Sequence, residues 1–214
     1  MSCRQCEGIE RKFDRRKAEK QLRRVAWRGP LANTHRLIEQ LRPHLLEGDS
    51  LLDIGGGVGT IHHVLLDAGV CTAVHLDASS GYIAVARDEA ARRGHADRVR
   101  FIHGDFVEVA DSISSADIVT LDRVICCDPD VAAMVSRAAE KTRRVLGAVY
   151  PRERWWVRAS IALENLMSRL RRSTFRMYLH SPVTIEARFR AHGFERASVR
   201  RTAYWEITTY ARRS

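Results

Sequence analysis

Ser50-Leu51-Leu52-Asp53-Ile54-Gly55-Gly56-Gly57-Val58-Gly59 is the stretch on which the fold turns. A short apolar run that suits a buried strand passes into a glycine-rich turn, and Thr60 to Ala68 then reads as a helix. Glycine adopts positive φ without strain and lets a ligand approach the backbone, while the free N–H groups of the following helix face the same space. The next apolar run, Cys71 to Leu76, ends at Asp77, 22 residues after Gly55. A carboxylate at that spacing can accept both hydroxyl hydrogens of a ribose. Ligands of open α/β sheets sit beyond the carboxyl ends of the strands, so acids at those ends are candidate site residues.

The alternation continues along the chain. A helix is expected from Ser80 to Arg93, a strand over Val99–His103 leading to Asp105-Phe106, and a strand over Ala116–Leu121 ending at Asp122. A helix from Pro129 to Arg144 and a strand over Val145–Tyr150, closed by Pro151, follow. Alternating strand and helix with short joints predicts a parallel sheet covered on both faces. After Pro151 the order breaks: a long basic helix spans Arg152–Arg172, and a shorter one spans Pro182–His192. Two strands, Glu195–Arg201 and Ala203–Tyr210, are too close for a crossover and must pair antiparallel. Ahead of the glycine turn, one amphipathic helix is expected over Glu10–Trp27 and another, capped by Asn33, through Leu41.

The 214 residues carry a formal charge of +10 and 45% hydrophobic residues, a globular composition that excludes disorder. Of the 36 basic residues all but Lys12, Lys17, Lys20 and Lys141 are arginine. They concentrate in the outer segments, whereas Leu51 to Asp130 is acidic. No apolar run approaches the roughly 18–20 residues that cross a bilayer, and the polar start predicts no signal peptide, so the expected location is cytoplasmic. Five cysteines, three of them in or beside apolar runs, do not suggest a disulfide framework. Cys3-x-x-Cys6 is half of a zinc site, and no metal is expected.

A dinucleotide fingerprint, G-x-G-x-x-G, would need glycine at position 60, which is Thr60. With Asp53 ahead of Gly55, Gly57 and Gly59, then Asp77, Asp105-Phe106 and the closing hairpin, the sequence resembles the class I S-adenosylmethionine-dependent methyltransferases across Leu51 to Tyr210. The resemblance implies a three-layer α/β Rossmann-like methyltransferase fold with a mostly parallel seven-stranded sheet and a C-terminal antiparallel hairpin. It also implies S-adenosyl-L-methionine as cofactor. The Gly55–Gly59 loop would hold the methionine end, with Asp53 fixing the loop and, through water, the amino group. Asp77 would hold the ribose, Asp105 the adenine amine and Phe106 its ring, and Asp122 would lie near the delivered methyl. Methyl transfer from a sulfonium is an in-line displacement that needs alignment within about 3–3.5 Å and a dry site, but no obligatory catalytic dyad. Ser181-Pro182, Ala191-His192-Gly193-Phe194 and Val199 to Tyr204 are similar to the magnesium-protoporphyrin O-methyltransferase family, which methylates a carboxylate. The sequence departs from that family at Cys3-x-x-Cys6 and over Asp122 to Pro129.

The expected organisation is a helical cap over 1–48, a cofactor core over 49–150, a substrate-forming insertion over 151–193 and a hairpin over 194–214. Cap and insertion interleave arginines with aromatics, and Trp27, Arg28, Trp155, Trp156 and Arg158 are the candidate acceptor contacts. Arginine forks suit acids and aromatic faces suit flat rings, so a planar or acidic small molecule, methylated at oxygen, is expected. Asp122, Arg123 and Tyr150 are the catalytic candidates by position, with His62, His63, His103 and His180 as possible bases. The basic flanks keep an RNA methyltransferase open as an alternative, although no Asn/Asp-Pro-Pro-aromatic motif is present. A non-catalytic cofactor-fold binding protein is the third reading.

Overall fold

The computed structural model describes residues 4–213, so Cys3 lies outside the described residues, as does the side chain of Cys6. The chain begins with helices α1 (Arg4–Lys12), α2 (Arg15–Arg28) and α3 (Ala32–Leu41), followed by strand β1 (Ser50–Ile54). Alternation then runs through α4 (Thr60–Asp67), β2 (Thr72–Asp77), α5 (Ser80–Arg93), β3 (Val99–His103), α6 (Phe106–Val109), β4 (Ala116–Asp122), α7 (Val131–Glu140) and β5 (Thr142–Pro151). The tail holds α8 (Trp155–Leu170), α9 (Pro182–Ala191), β6 (Phe194–Arg201) and β7 (Trp205–Arg212).

One seven-stranded sheet has the order β3-β2-β1-β4-β5-β7-β6. Strands β1 to β5 pair in parallel and β6 and β7 form an antiparallel hairpin, as the sequence predicts; β7 enters between β5 and β6. The order reverses between β1 and β4, so the carboxyl ends of those strands frame the crevice where open sheets bind ligands. One face of the sheet is packed by α6, α7 and α9 through Phe106, Met134, Val135, Ile185 and Phe189. The other is packed by α3 and α4 through Leu37, Ile38, Leu41, Ile61 and Leu65.

Three expectations need correction. The single helix over Glu10–Trp27 is two helices, because the Asp14 side chain accepts the Lys17 N–H at 2.9 Å and caps a fresh start. Asn33 lies inside α3 and does not cap it; Leu31 holds the N-cap position with no side-chain bond. Helix α7 is shorter than expected, since Thr142 to Arg144 already belong to β5. The helices before the glycine turn also divide in role. Leu37, Ile38 and Leu41 of α3 are core residues, whereas α2 packs on α5 and α1 lies across the cavity described next.

Candidate functional site

Strand β1 ends in a left-handed turn: Gly55, Gly57 and Gly59 have φ of 64°, 58° and 83°. Space adds to the requirement at Gly55 and Gly59 but not at Gly57. A Cβ on Gly55 would sit 2.3 Å from Val124 Cγ2, and one on Gly59 would sit 2.5 Å from His62 Cε1. A Cβ on Gly57 would meet nothing closer than 3.8 Å, because Gly57 borders open space. That space is a cavity of about 590 Å³ lined by Gly55, Gly57, Asp77, Asp105, Phe106, Asp122 and Arg123 at the strand ends. A smaller pocket of about 40 Å³ beneath the loop is lined by Asp53, Gly55, Gly56, Gly57, Asp122 and Arg123.

The structure thus brings seven of the predicted site residues to one cavity and sets Asp53 against the loop from below. Gly59 lines neither space and instead packs on His62. Asp77 Oδ2 accepts the Gly57 N–H and its Oδ1 accepts the Ser79 N–H, both at 2.9 Å. Burial outweighs these bonds and pushes the Asp77 carboxyl up to about 6. Asp53 Oδ1 accepts the Thr120 hydroxyl at 2.7 Å while its Oδ2 has no hydrogen-bond partner, and desolvation raises this carboxyl to about 6 as well. Asp105 Oδ1 accepts the Val107 N–H at 2.8 Å and starts α6. Phe106 is buried in the core with part of its surface on the cavity wall.

Asp122 is held from two sides. The Thr34 hydroxyl donates to its Oδ2 at 2.6 Å, and the Arg123 guanidinium pairs with both oxygens at 3.1 Å. Arg123 itself has φ of 63°, a strained value for a side-chain-bearing residue, and its N–H bonds Val149 O at 2.9 Å. This turn points the guanidinium back to the cavity. Cys126 and Cys127 line the same wall with their sulfurs 4.0 Å apart. The contact with Cys127 and then burial hold the Cys126 thiol up, and the same contact lowers Cys127.

The remaining wall comes from the roof. Gln5, Ile9, Lys12 and Phe13 of α1 and its C-terminal turn, Gln21 of α2, and Phe175 and Met177 after α8 all line the cavity. The Gln5 amide donates to Cys127 O and Arg176 O, both at 2.8 Å, which joins the roof to two walls. Lys12 stands 4.1 Å above the Phe175 ring and pairs with Glu164. Tyr82 donates to Gln21 Oε1 at 3.0 Å. Gln5, Ile9, Lys12, Phe13 and Gln21 carry no signal of a site in the sequence: each is an ordinary helix residue until the segments dock. The Phe175-Arg176-Met177 stretch alone carried a hint, as an aromatic–basic run.

The other acceptor and catalytic candidates sit elsewhere. Trp27 and Trp155 are each 77% exposed, Trp156 is exposed beside Arg154, Arg28 stacks on Trp27, and Arg158 pairs with Glu153 at the surface. None of the five lines the cavity. Tyr150 is buried because β5 continues to Pro151 and pairs with β7; its hydroxyl lies 3.2 Å from that of Tyr210 and donates to Glu206. His180 Nε2 lies 2.8 Å from Asp128 O, and His103 Nε2 lies near Ala78 O, at 3.3 Å.

His62 and His63 are buried behind the loop with His75 and His95. His62 Nδ1 lies 3.4 Å from Asp53 Oδ2 and 3.2 Å from His75 Nδ1, and His63 Nδ1 lies 3.0 Å from His95 Nδ1. Burial lowers His62, His63 and His75 to about 3, so all three are neutral near pH 7. Asp53, His62 and His75 have the residue types and spacing of a metal centre, with one ligand atom each within 4.8 Å of the others. The Nε2 atoms of both histidines have no acceptor, unlike the outer nitrogens of metal-bound imidazoles. A Cβ on Gly56 would meet His75 Nδ1 at 2.4 Å, so the cluster is packed directly beneath the loop it supports.

Residues 51–146 match the methyltransferase domain family. The chain is similar to magnesium protoporphyrin IX methyltransferase from Synechocystis PCC 6803 with bound SAH, at 19% identity and TM-score 0.74 over 96% of this chain and 98% of that one. With bound SAM, the same enzyme gives 18% identity and TM-score 0.72 over 99% of each chain. An O-methyltransferase family protein from Burkholderia thailandensis is similar at 18% identity and TM-score 0.63, over 85% of this chain and 58% of that one. At these identities the likeness is one of fold. No curated protein matches the sequence.

Proposed function

We propose that this chain, whose residues 51–146 match a methyltransferase domain family, is a class I S-adenosylmethionine-dependent methyltransferase and that its acceptor is a small acidic molecule methylated at oxygen. One observation carries this reading: the cavity that takes in the glycine loop and Asp77 extends beneath the roof, where Lys12 and Arg123, paired with Glu164 and Asp122, stand among Phe13, Phe175, Met134 and Met177, while Asp105, Glu108, Asp128 and Asp130 line the rest. Cations on an apolar wall favour a carboxylate or acidic hydroxyl borne on a flat apolar body.

The cofactor fits the residues present. Gly57 leaves room where any side chain would intrude, and Asp77 retains a lone pair on each oxygen beyond the two backbone N–H groups that it accepts. Asp77 would take the ribose hydroxyls and Asp105 the adenine amine, with the Phe106 ring edge and backbone alongside. Asp53, with one free oxygen under the loop, would receive the amino group through water in the small pocket. The bound cofactor supplies an activated methyl on a sulfonium. The chain's own residues do the rest. Lys12 and Arg123, turning from Glu164 and Asp122, would hold the acceptor acid beside the methyl group, and the α1 roof excludes water. A carboxylate arrives already deprotonated, so the absence of a poised histidine from the cavity lining is consistent with this acceptor.

Calorimetric titration with S-adenosylmethionine and S-adenosylhomocysteine, followed by transfer assays from a labelled methyl group to aromatic carboxylates, phenols, amines and RNA, tests the proposal. Turnover confined to acids and phenols supports it. Transfer to amines or RNA but not to acids would overturn the acceptor assignment.

A further inference from the structure

Helix α8 shows two apolar faces where a surface helix needs one. Val157, Ile161 and Ser168 are buried against the body of the protein, and Glu164 on that side pairs with Lys12 of the roof. The opposite side carries Trp155, Trp156, Leu163, Leu166, Met167 and Leu170, all exposed, with Trp155 at 77% and Leu170 at 70%. At 3.6 residues per turn, positions 155, 159, 163, 166 and 170 fall on one line and 156 and 167 beside it, so these side chains form one stripe along the helix. Scattered exposed leucines are normal on protein surfaces, but a continuous stripe of this kind marks an interaction surface.

The charges around the stripe identify its partner. Arg158 and Arg169 border it along one edge, Arg154 precedes it, and Arg171 and Arg172 follow it, all exposed. Glu153 is the one acid at its ends, and Glu164 faces the other way. An antiparallel pairing of two copies would set Arg158 against the Arg169 of its mate, with Glu153, beside Arg158, as the one carboxylate near the contact and Arg154, Arg171 and Arg172 adding like charge. A bilayer surface rich in anionic lipid offers both an apolar boundary and phosphates for the arginine forks, and tryptophan favours that boundary. The helix does not span: its 16 residues rise about 24 Å against the roughly 30 Å of a hydrocarbon core, and no described helix is long and apolar enough to cross.

We propose that α8 lies on anionic membrane surfaces, with the Trp155–Leu170 stripe in the headgroup–acyl boundary and the flanking arginines on lipid phosphates. This inference is independent of the acceptor assignment above. Because α8 touches the roof through Glu164 and Lys12, the docked surface would hold the cavity's cover close to the lipid.

Sedimentation with vesicles tests it. The full chain is mixed with vesicles of phosphatidylcholine alone, or containing about 30% phosphatidylglycerol, at low and at physiological salt. Binding to the anionic vesicles is expected, accompanied by a blue shift of tryptophan fluorescence. It should weaken at least about tenfold in the Leu163→Ser/Leu166→Ser/Leu170→Ser variant, and should weaken with salt and in Arg158→Gln/Arg169→Gln. These positions are exposed, so unchanged cofactor affinity and unchanged circular dichroism are expected of both variants. Three outcomes would each overturn the proposal: a monomer that ignores anionic vesicles at low salt, equal binding by the triple-serine variant, or a dimer by light scattering that the triple-serine variant abolishes.

Discussion

The Asp77 carboxylate at the end of β2 accepts the backbone N–H of Gly57 at 2.9 Å, so one acid both faces the cavity and fastens the loop that forms its floor. Asp77→Ala should therefore lose charge-assisted bonds to the ribose and loosen the loop together. Cofactor affinity is expected to fall by about 1–3 kcal/mol, which calorimetry would read directly. Unchanged affinity would remove Asp77 from the site.

Burial holds the Asp77 carboxyl near 6, so its capacity to accept ribose hydroxyl hydrogens declines as pH falls through that value. Affinity for S-adenosylhomocysteine, measured from about pH 8 down to about pH 5, should drop with a midpoint near the pKa of the free protein and flatten in Asp77→Asn. A pH-independent affinity would contradict this.

Neighbouring glycines should fail differently. A Cβ at Gly57 has room but sits at positive φ and points at the cavity, whereas one at Gly56 would meet His75 Nδ1 at 2.4 Å and Asp53 Oδ2 at 2.9 Å. Gly57→Ala is expected to fold, with some loss of stability and a larger loss of cofactor affinity. Gly56→Ala should lose about 1–3 kcal/mol of stability from overpacking. Urea unfolding of both variants, set beside their binding, separates the two effects.

The buried histidines and carboxylates act on stability in opposite senses. His62, His63 and His75 are lowered to about 3, so below about pH 6.5 the unfolded chain takes up their protons first and stability falls. Asp53 and Asp77 are raised to about 6, so between about pH 6 and pH 4 the folded chain takes up their protons first and stability gains. Three groups oppose two, leaving a net loss of stability as pH falls across that window. Urea unfolding at about pH 6 and pH 5 should show the loss, and His63→Gln should nearly cancel it. Rising stability toward pH 5 would disprove the balance.

The roof offers a test of the acceptor. Lys12→Met keeps the stem that packs on Phe175 and removes the charge. KM for an acidic acceptor should rise about tenfold or more with little change in cofactor affinity. Equal effects on acidic and neutral acceptors would mean that Lys12 does not recognise the acid.

The sheet was legible because its strands are short apolar runs separated by turn residues, and the acids that end them, Asp77 and Asp122, needed no tertiary information. Asp14 was not legible as a break: inside a charged amphipathic run it looks like one more polar residue, and its role appears only where it caps Lys17. Tyr150 was misplaced because an isolated strand ending at Pro151 suggests an open end, whereas pairing with β7 sets Tyr150 opposite Glu206. The aromatic–basic runs at Trp27 and Trp155 pointed to binding surfaces but not to the cavity. Gln5, Lys12 and Gln21 became neighbours of the glycine loop through docking of α1 and α2, which leaves no trace in local periodicity.

The two bonds from Gln5 to Cys127 and Arg176 bear on the pace of catalysis. They fasten α1 on both sides of the chamber, while the break at Phe13–Asp14 leaves the segment joined to α2 by a single unwound joint. Molecules of cofactor size must pass this cover in both directions in every cycle. Turnover that slows as solvent viscosity rises is the expected sign that opening this cover contributes to the rate.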